Sequence, residues 1–201
     1  MNDTFNGWNT QISNLDVISN LICTGKTAKT MRPDIWVVKH LESTNPNTTV
    51  LDFGCGIGRN TFYFGLSHPN WNVVGYDNKY MISKINDFYK IHYNNIVFPT
   101  NVVFSDDWDN LKGKKFDVIF CSLVLQHIYE HALEEYISHF KEMTHKLIVS
   151  GRRFNDDSGK STWEIIENNG LIPNKYYKND VLVRYSADGD LEEHNLAIYE
   201  W

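Results

Sequence analysis

The sequence is poor in cysteine and lacks a recognisable targeting signal. It has three cysteines among 201 residues, Cys23, Cys55 and Cys121, and no two of them stand at a C-x-x-C spacing. A sparse and odd set argues against a disulfide framework and fits reduced thiols in a reducing compartment. The amino terminus has no basic region followed by an apolar stretch, so we expect no secretory signal and a cytoplasmic protein.

Long apolar runs and clusters of basic residues are also scarce. The longest apolar run surrounds residues 116–125, well below the roughly 20 apolar residues of a membrane-spanning helix. The formal net charge is −6, and the short basic run at 112–115 comes just before an apolar stretch. The composition therefore predicts no membrane partner and disfavours a broad electrostatic grip on nucleic acid.

What the sequence does contain is a regular alternation of apolar and helical segments. Strands are predicted at 48–53, 71–76, 102–104, 116–121 and 146–150, with helices at 59–66, 79–91 and 130–144. Short apolar strands that alternate with helices are typical of a mostly parallel sheet covered on both faces. The pattern predicts an α/β protein.

The two ends of the chain depart from this alternation. Residues 8–23 and a segment starting at Pro33 have helical patterns, so we expect a single domain over 1–201 with 1–45 as an N-terminal helical extension. Near the other end, a helix is predicted at 161–169. The stretches 180–185 and 194–200 are predicted to pair as closing strands around a turn at 187–190.

The most informative segment is a glycine-rich turn that follows the first predicted strand, VLDFGCGIGRN at 50–60. Gly54, Gly56 and Gly58 permit unusual backbone angles and a close approach of the main chain to a ligand. Arg59 stands where the dinucleotide fingerprint G-x-G-x-x-G requires Gly or Ala, which favours a nucleoside ligand without pyrophosphate. The alternative is a tight turn that binds nothing.

Carboxylates follow the next two predicted strands. Asp77 comes about 20 residues after the glycine turn, where an acidic side chain can accept hydrogen bonds from ribose hydroxyls, although it could also cap the next helix. After the third strand, Asp107 could accept a bond from an adenine amino group, with Trp108 as an apolar wall. For the neighbouring Asp106 and Asp109, an acidic surface loop is the preferred reading.

In their order and spacing these segments resemble the class I S-adenosylmethionine-dependent methyltransferases. Residues 50–60 are similar to that family's first motif, 73–81 to its second, 105–111 to its third and 116–128 (FDVIFCSLVLQHI) to its fourth. The resemblance runs from about residue 34 to the C-terminus. It implies a Rossmann-like fold with a seven-stranded, mostly parallel sheet, helices on both faces, and an antiparallel C-terminal strand.

The resemblance also implies a cofactor, S-adenosyl-L-methionine, and residues that bind it. Asp52 would orient the methionine amino group directly or through water, Asp77 would hold the ribose diol, and Arg32 would pair with the cofactor's carboxylate. Asp107 and Trp108 would frame the adenine. The full set expected to bind the cofactor is Arg32, Asp52, Gly54, Cys55, Gly56, Gly58, Asp77, Asn78, Asp107, Trp108, Cys121 and Ser122.

A methyl acceptor often needs a base that removes its proton, and His127 is the candidate. It lies just past the fourth predicted strand, although it could instead pack against or cap the next helix. His127, His131 and His139 could share a helix face, but no carboxylate or cysteine completes a site, so no metal is predicted. The pair at 152–153 could meet an anionic acceptor or remain solvated.

The acceptor itself is constrained only by what is missing. DNA amino-methyltransferases carry a D/N-P-P-Y/F motif after the fourth strand, where this chain has CSLV at 121–124, and no Pro-Cys pair of the cytosine-C5 type is present. A small-molecule acceptor is therefore favoured. The open alternatives are a protein or RNA acceptor, a non-catalytic cofactor-binding module, and an NAD-dependent oxidoreductase, which Arg59 disfavours.

Overall fold

The computed structural model describes residues 35–41, 45–92, 98–151, 155, 158–177, 184–185, 191–192 and 195–201. Several sequence predictions lie outside these residues. They are the helix at 8–23, the cofactor contact of Arg32, the helix start at Pro33, the basic pair at 152–153 and the turn at 187–190.

Helices and strands alternate along most of the described chain. The helices are α1 (Ile35–Leu41), α2 (Arg59–Ser67), α3 (Lys79–His92), α4 (Trp108–Leu111), α5 (Glu130–Met143) and α6 (Thr162–Asn168), with a 3₁₀ turn at Leu125–His127. The strands are β1 (Thr49–Phe53), β2 (Asn72–Tyr76), β3 (Val102–Ser105), β4 (Val118–Ser122), β5 (Lys146–Gly151), β6 (Lys175–Tyr177), β7 (Arg184–Tyr185), β8 (Leu191–Glu192) and β9 (Asn195–Glu200). The predicted strands and helices of the central region are confirmed to within two residues at most of their ends.

Seven strands form one sheet in the order β3-β2-β1-β4-β5-β9-β6. Neighbours among β1 to β5 pair in parallel, and β9 pairs antiparallel with both β5 and β6. The expected Rossmann-like sheet with an antiparallel C-terminal strand is confirmed. Because β1 has β2 on one side and β4 on the other, the chain crosses over in opposite directions there, which opens a crevice at the carboxyl ends of β1 and β4.

The closing strand pair was predicted wrongly. Strand β9 pairs with β5 and β6 in the main sheet, whereas Arg184–Tyr185 pairs with Leu191–Glu192 in a separate two-stranded ribbon. The reason is burial, since Leu196 and Ile198 pack into one layer of the core and Ala197 and Tyr199 into the other. A strand that is buried on both faces is stabilised inside a sheet, not in an isolated hairpin.

The sheet separates two layers of apolar side chains. On one face, Phe53 and Ile119 pack with Ile137 and Phe140 of α5. On the other face, β-strand side chains pack with α1 and α2, and a smaller cluster joins α2 to α3. The strands are therefore rigidly held between helices, and their carboxyl ends are fixed points from which polar side chains can project.

Candidate functional site

The glycine turn after β1 is tied to the end of β2 by main-chain hydrogen bonds. The N–H groups of Gly54 and Cys55 both donate to the carbonyl of Tyr76, at 2.8 and 2.9 Å. The next amide in the turn, that of Gly56, donates to the Asp77 carboxylate at 2.7 Å. The turn and the second strand's carboxylate therefore form one hydrogen-bonded unit at the switch point of the sheet.

The three glycines of this turn have positive φ angles, 74° at Gly54, 57° at Gly56 and 83° at Gly58. A Cβ on Gly54 would lie 2.4–2.9 Å from the Val124 side chain, and one on Gly58 would lie 2.5 Å from Phe104 Cζ. From the sequence, these glycines were expected to let the main chain approach a ligand closely. The structure adds a second reason, because the protein's own side chains already occupy the space that a Cβ would need.

Asp77 directly follows β2 and is only 6% exposed. One carboxylate oxygen accepts the Gly56 N–H, and the other accepts the backbone N–H and side-chain amide of Asn78, at 2.7 and 2.9 Å. Burial raises the pKa of Asp77 to about 6, and the bonds from the Gly56 and Asn78 backbone oppose the rise. Two carboxylate oxygens have about four acceptor positions and three are used, so Asp77 can accept about one more hydrogen bond.

The helix-capping role considered for Asp77 belongs to its neighbour. The Asn78 side-chain oxygen accepts the backbone N–H of Met81 at 3.0 Å, in the first turn of α3. This is the usual bond of an N-cap residue. Asn78 therefore starts the helix and leaves the Asp77 carboxylate directed at the glycine turn.

Asp52 is the other buried carboxylate of this region, with 1% exposure near the end of β1. Its carboxylate accepts a 2.5 Å hydrogen bond from the Thr61 hydroxyl in the first turn of α2. Burial raises the pKa of Asp52 to about 7, and the Thr61 hydroxyl and the charge of Arg59 act in the opposite direction. No ion pair neutralises Asp52 or Asp77 within the described part of the chain.

The loop after β3 brings Asp107 to the same edge of the sheet but places Trp108 in the core. Asp107 is exposed, and its carboxylate accepts the Asn110 N–H at 3.0 Å as the N-cap of α4. The Trp108 ring is 4% exposed and contacts the rings of Phe53 and Tyr76, with centroid distances of 5.4 and 5.1 Å. A contact between Trp108 and an adenine stays a prediction.

The end of β4 has a strained backbone held by β5. Leu123 has a φ of 63°, an uncommon value for a residue other than glycine, and its N–H donates to the Ser150 carbonyl at 2.7 Å. Just before it, Cys121 is fully buried, and the Ser122 hydroxyl lies 3.4 Å from that of Ser150. At Leu123 the chain leaves the sheet and leads into the 3₁₀ turn.

That 3₁₀ turn carries His127 at its end, partly exposed on the rim of the crevice. The Gln126 side-chain amide nitrogen lies 3.3 Å from His127 Nε2. The buried amide of Asn155 donates to the carbonyls of Leu125 and Ile128, at 3.3 and 2.8 Å. His127 therefore stands on a braced turn and is not part of α5.

His131 and His139 lie on α5, apart from that turn. His131 is exposed and stacks on Tyr129, while His139 lies 3.7 Å from Glu135. Among the described residues, no three histidine, cysteine, aspartate or glutamate side chains form a group that could hold a metal ion. No described helix is long and apolar enough to cross a membrane.

Comparison with known proteins agrees with this geometry. Residues 51–146, from β1 to the start of β5, match a family described as a methyltransferase domain. Residues 51–146 therefore form a methyltransferase domain, and the sheet order described above is that of the class I S-adenosylmethionine-dependent methyltransferases. The methyl donor of this methyltransferase is S-adenosylmethionine. No curated protein sequence matches it at a significant level.

Solved methyltransferases share its fold over most of their length. Magnesium protoporphyrin IX methyltransferase from Synechocystis PCC 6803, with bound S-adenosylmethionine, is 19% identical with a TM-score of 0.56, over 83% of this chain and 74% of that chain. A methyltransferase from Aquifex aeolicus is 16% identical with a TM-score of 0.59, over 87% and 93%. Coclaurine N-methyltransferase, bound to N-methylheliamine and S-adenosylhomocysteine, is 10% identical with a TM-score of 0.63, over 93% and 80%.

Sequence reasoning missed two residues of this site. Thr61 bonds Asp52 across nine residues, and its only sequence signal is a hydroxyl in the first turn of the helix that follows the glycines. Asn155 braces the turn that holds His127 from a loop almost 30 residues away. No local pattern predicts such a contact, because it depends on β4 and β5 being neighbours.

Proposed function

We propose that this methyltransferase transfers the methyl group of S-adenosylmethionine to a small molecule bound at the carboxyl ends of β4 and β5, beside His127. The observation that carries the proposal is the arrangement at the switch point. Asp77 accepts the Gly56 N–H of the glycine turn, and Asp52 lies buried near the end of β1. His127 ends the 3₁₀ turn that follows β4, the other neighbour of β1 in the sheet.

The two buried carboxylates fit two groups of the cofactor, the methionine amino group and the ribose. A buried carboxylate without an ion-pair partner is stabilised by a cationic ammonium group, which supports Asp52 as the partner of the methionine amino group. Asp77 retains acceptor capacity for ribose hydroxyls, since its three present bonds come from the turn and from Asn78. The proposed contacts of Gly54, Cys55, Gly56 and Gly58 are through the main chain, which suits a turn with bare backbone.

The remaining cofactor contacts are proposed around this centre. Asp107 lies on the exposed loop after β3 and has a second carboxylate oxygen available for an adenine amino group. Trp108 is proposed to contribute through the apolar edge of the core beneath the adenine. Cys121 and Ser122 end the strand next to β1, so their main chain is proposed to face the amino acid end.

When bound, S-adenosylmethionine supplies the activated methyl group, so the protein has to align an acceptor and exclude water. We propose that His127 removes a proton from the acceptor while the acceptor is methylated. The turn that carries His127 is braced by Asn155, which limits the movement of its main chain. A side chain held in this way is suited to proton transfer at a defined position.

A small-molecule acceptor is supported by charge and by the named neighbours. The chain has a net charge of −6 and carries neither of the two nucleic-acid methylation motifs sought in its sequence. Magnesium protoporphyrin IX methyltransferase and coclaurine N-methyltransferase are named for small molecules. The likeness to them lies in the fold, so they indicate the class of acceptor and not its identity.

The test follows a labelled methyl group into an extract of the source organism. The purified protein and methyl-tritiated S-adenosylmethionine are added to an extract, which is then divided into an ultrafiltrate, a protein fraction and a nucleic-acid fraction. We expect the ultrafiltrate to contain a labelled product that chromatography separates from S-adenosylmethionine, in an amount beyond that in an extract without added protein. The Asp77→Asn variant serves as the control for binding-dependent transfer.

Label in protein or nucleic acid would instead contradict the small-molecule proposal and identify the class of acceptor. Binding of S-adenosylhomocysteine without a labelled product in any fraction would favour a non-catalytic module. These outcomes separate the cofactor-binding part of the proposal from the part that concerns the acceptor.

A further inference from the structure

The first turn of α2 packs against the end of β1, and one of its hydroxyl groups donates a hydrogen bond to Asp52. The Thr61 Oγ1 donates to an Asp52 carboxylate oxygen at 2.5 Å, and both residues are almost fully buried, with exposures of 0 and 1%. Threonine hydroxyls in helices commonly bond the main chain one turn back. In α2 the hydroxyl instead bonds a side chain of the neighbouring strand.

The sheet leaves space for this contact by means of a glycine on β2. Gly75 is the register partner of Asp52, and a Cβ on it would lie 2.9 Å from Thr61 Oγ1 and 2.7 Å from Phe104. Its φ is not positive, so glycine is needed there for space and not for conformation. Asp52, Gly75 and Thr61 therefore form one packed unit from three successive elements.

We propose that Thr61 is a positioning residue for the cofactor site, whose hydroxyl keeps the Asp52 carboxylate oriented and ionised toward the cofactor's ammonium group. The inference rests on the proposed cofactor role of Asp52. It adds a residue that does not contact the cofactor and acts through the carboxylate that does.

The charges around Asp52 explain why a single hydroxyl matters. The pKa of Asp52 is raised to about 7, with burial as the largest influence and the nearby Asp77 charge acting in the same direction. The Thr61 hydroxyl is the largest influence in the opposite direction, followed by the charge of Arg59, with a smaller contribution from the Thr61 backbone N–H. Burial raises the pKa of the Cys55 and Cys121 thiols, and the charge of Asp52 raises it further.

Loss of the hydroxyl therefore favours a neutral Asp52 at neutral pH. A neutral carboxyl group attracts an ammonium group much less than a carboxylate does. Thr61→Val keeps the shape and the backbone N–H of Thr61 but removes the hydroxyl. A purely structural role for Thr61 would weaken cofactor binding by the same factor at every pH, whereas a role through ionisation weakens it most at low pH.

The experiment measures S-adenosylhomocysteine affinity by calorimetry for the wild type and for Thr61→Val, from below to above the Asp52 pKa. The ratio of the two affinities at each pH cancels the titration of the ligand's own amino group. We expect a loss of roughly tenfold or more at and below neutral pH, the scale of one hydrogen bond to a charged group. The two affinities should converge as the pH rises.

Two further variants support the interpretation. Thr61→Ser keeps the hydroxyl and is expected to bind within about twofold of wild type. Thr48→Val removes another buried threonine hydroxyl, which donates to the Asn45 carbonyl at 2.9 Å, and should leave affinity unchanged. If the valine variant does not fold, Thr61→Ala replaces it, with folding checked by thermal unfolding.

A ratio that is constant across pH, or a valine variant that binds like wild type, would overturn the inference while leaving the cofactor site intact. If neither the wild type nor Thr48→Val binds S-adenosylhomocysteine, the proposed cofactor site itself is contradicted. Binding by the wild type therefore distinguishes the two failures.

Discussion

The Asp77 carboxylate lies 2.7 Å from the amide nitrogen of Gly56 and accepts its hydrogen bond. The acidic side chain after the second strand is thus part of the glycine turn after the first strand. This one contact gives Asp77 two roles, since it stabilises the turn in the free protein and is proposed to hold the ribose in the complex. Substitutions at Asp77 must be measured for both effects.

Replacement of Asp77 by alanine is expected to weaken cofactor binding and to destabilise the free protein. Loss of charge-assisted bonds should cost about 1.5–3 kcal/mol in S-adenosylhomocysteine binding. The Gly56 N–H also loses its acceptor, which costs about 1–3 kcal/mol of unfolding free energy when the amide stays buried. Calorimetry and urea unfolding measure the two quantities separately.

The control for this prediction is Asp87→Asn, which neutralises an exposed carboxylate on α3. Its affinity and stability should both equal those of the wild type. An Asp77→Ala variant with reduced stability but undiminished affinity would show that Asp77 serves the fold alone.

Alanine substitution is expected to destabilise the protein at Gly58, in the glycine turn, and to have little effect at Gly113. Alanine at Gly58 combines a φ of 83° with a Cβ 2.5 Å from the Phe104 ring, whereas Gly113 has no atom within 4 Å of such a Cβ. Gly58→Ala is expected to lower the unfolding free energy by about 1–3 kcal/mol or more. Gly113→Ala should change it by less than about 0.5 kcal/mol.

Urea unfolding of the two variants provides the measurement. Equal stability of Gly58→Ala and Gly113→Ala would mean that the turn does not hold the backbone described for it. Because the protein's own packing already forbids a side chain at Gly58, loss of cofactor binding in this variant says little about the ligand.

Cofactor binding is expected to release protons near neutral pH. The pKa values of Asp52 and Asp77 are raised to about 7 and about 6 by burial, and a nearby cation favours the ionised carboxylates. Binding of S-adenosylhomocysteine should therefore lower both pKa values and release protons at a pH between these values. Calorimetry in two buffers of different ionisation enthalpy measures the release, and Asp52→Asn should reduce it.

The same two carboxyl groups affect the stability of the free protein in a defined direction. Their folded pKa values lie above 3.8, the ordinary value of an aspartate, so their contribution to the unfolding free energy is fully present below that pH. It is lost as the pH rises through about 6 and 7. In Asp52→Asn the unfolding free energy should fall less steeply over this range, and an unchanged slope would contradict the raised pKa of Asp52.

His127→Ala is expected to lower turnover while leaving cofactor affinity nearly intact, once an acceptor is known. Loss of a general base typically reduces the rate by about 10²–10⁴-fold. His131→Ala, at an exposed position on α5, is the matched control and should retain full activity. Turnover that survives in His127→Ala would place the base elsewhere or show that the acceptor needs none.

The centre of the sheet could be predicted from the sequence because strands β1, β4 and β5 are buried on both faces. Runs such as VVGY at 73–76 and VIFC at 118–121 are almost continuously apolar, which distinguishes them from the amphipathic helices between them. Strand β6 was missed because its three residues, Lys175–Tyr177, are partly or largely exposed and have no strand pattern. Its position is determined by pairing with β9, which lies 18 or more residues further along the chain.

The candidate site was predicted where function depends on local spacing and missed where it depends on contacts between elements. The glycines and Asp77 follow their strands at fixed distances, so their convergence could be expected. The burial of Trp108 could not, because it results from an aromatic cluster that Phe53, Tyr76 and Tyr136 complete from three other elements. The left-handed Leu123 likewise depends on the Ser150 carbonyl of the neighbouring strand.

The central claim is that the crevice between the ends of β1, β2 and β4 holds the adenosyl amino acid, with its ribose at Asp77. A crystal structure grown with saturating S-adenosylhomocysteine tests it most directly. The account predicts both ribose hydroxyls in the crevice, with at least one about 2.5–3.0 Å from an Asp77 carboxylate oxygen. An empty crevice, or a ribose bound out of reach of Asp77, would contradict it.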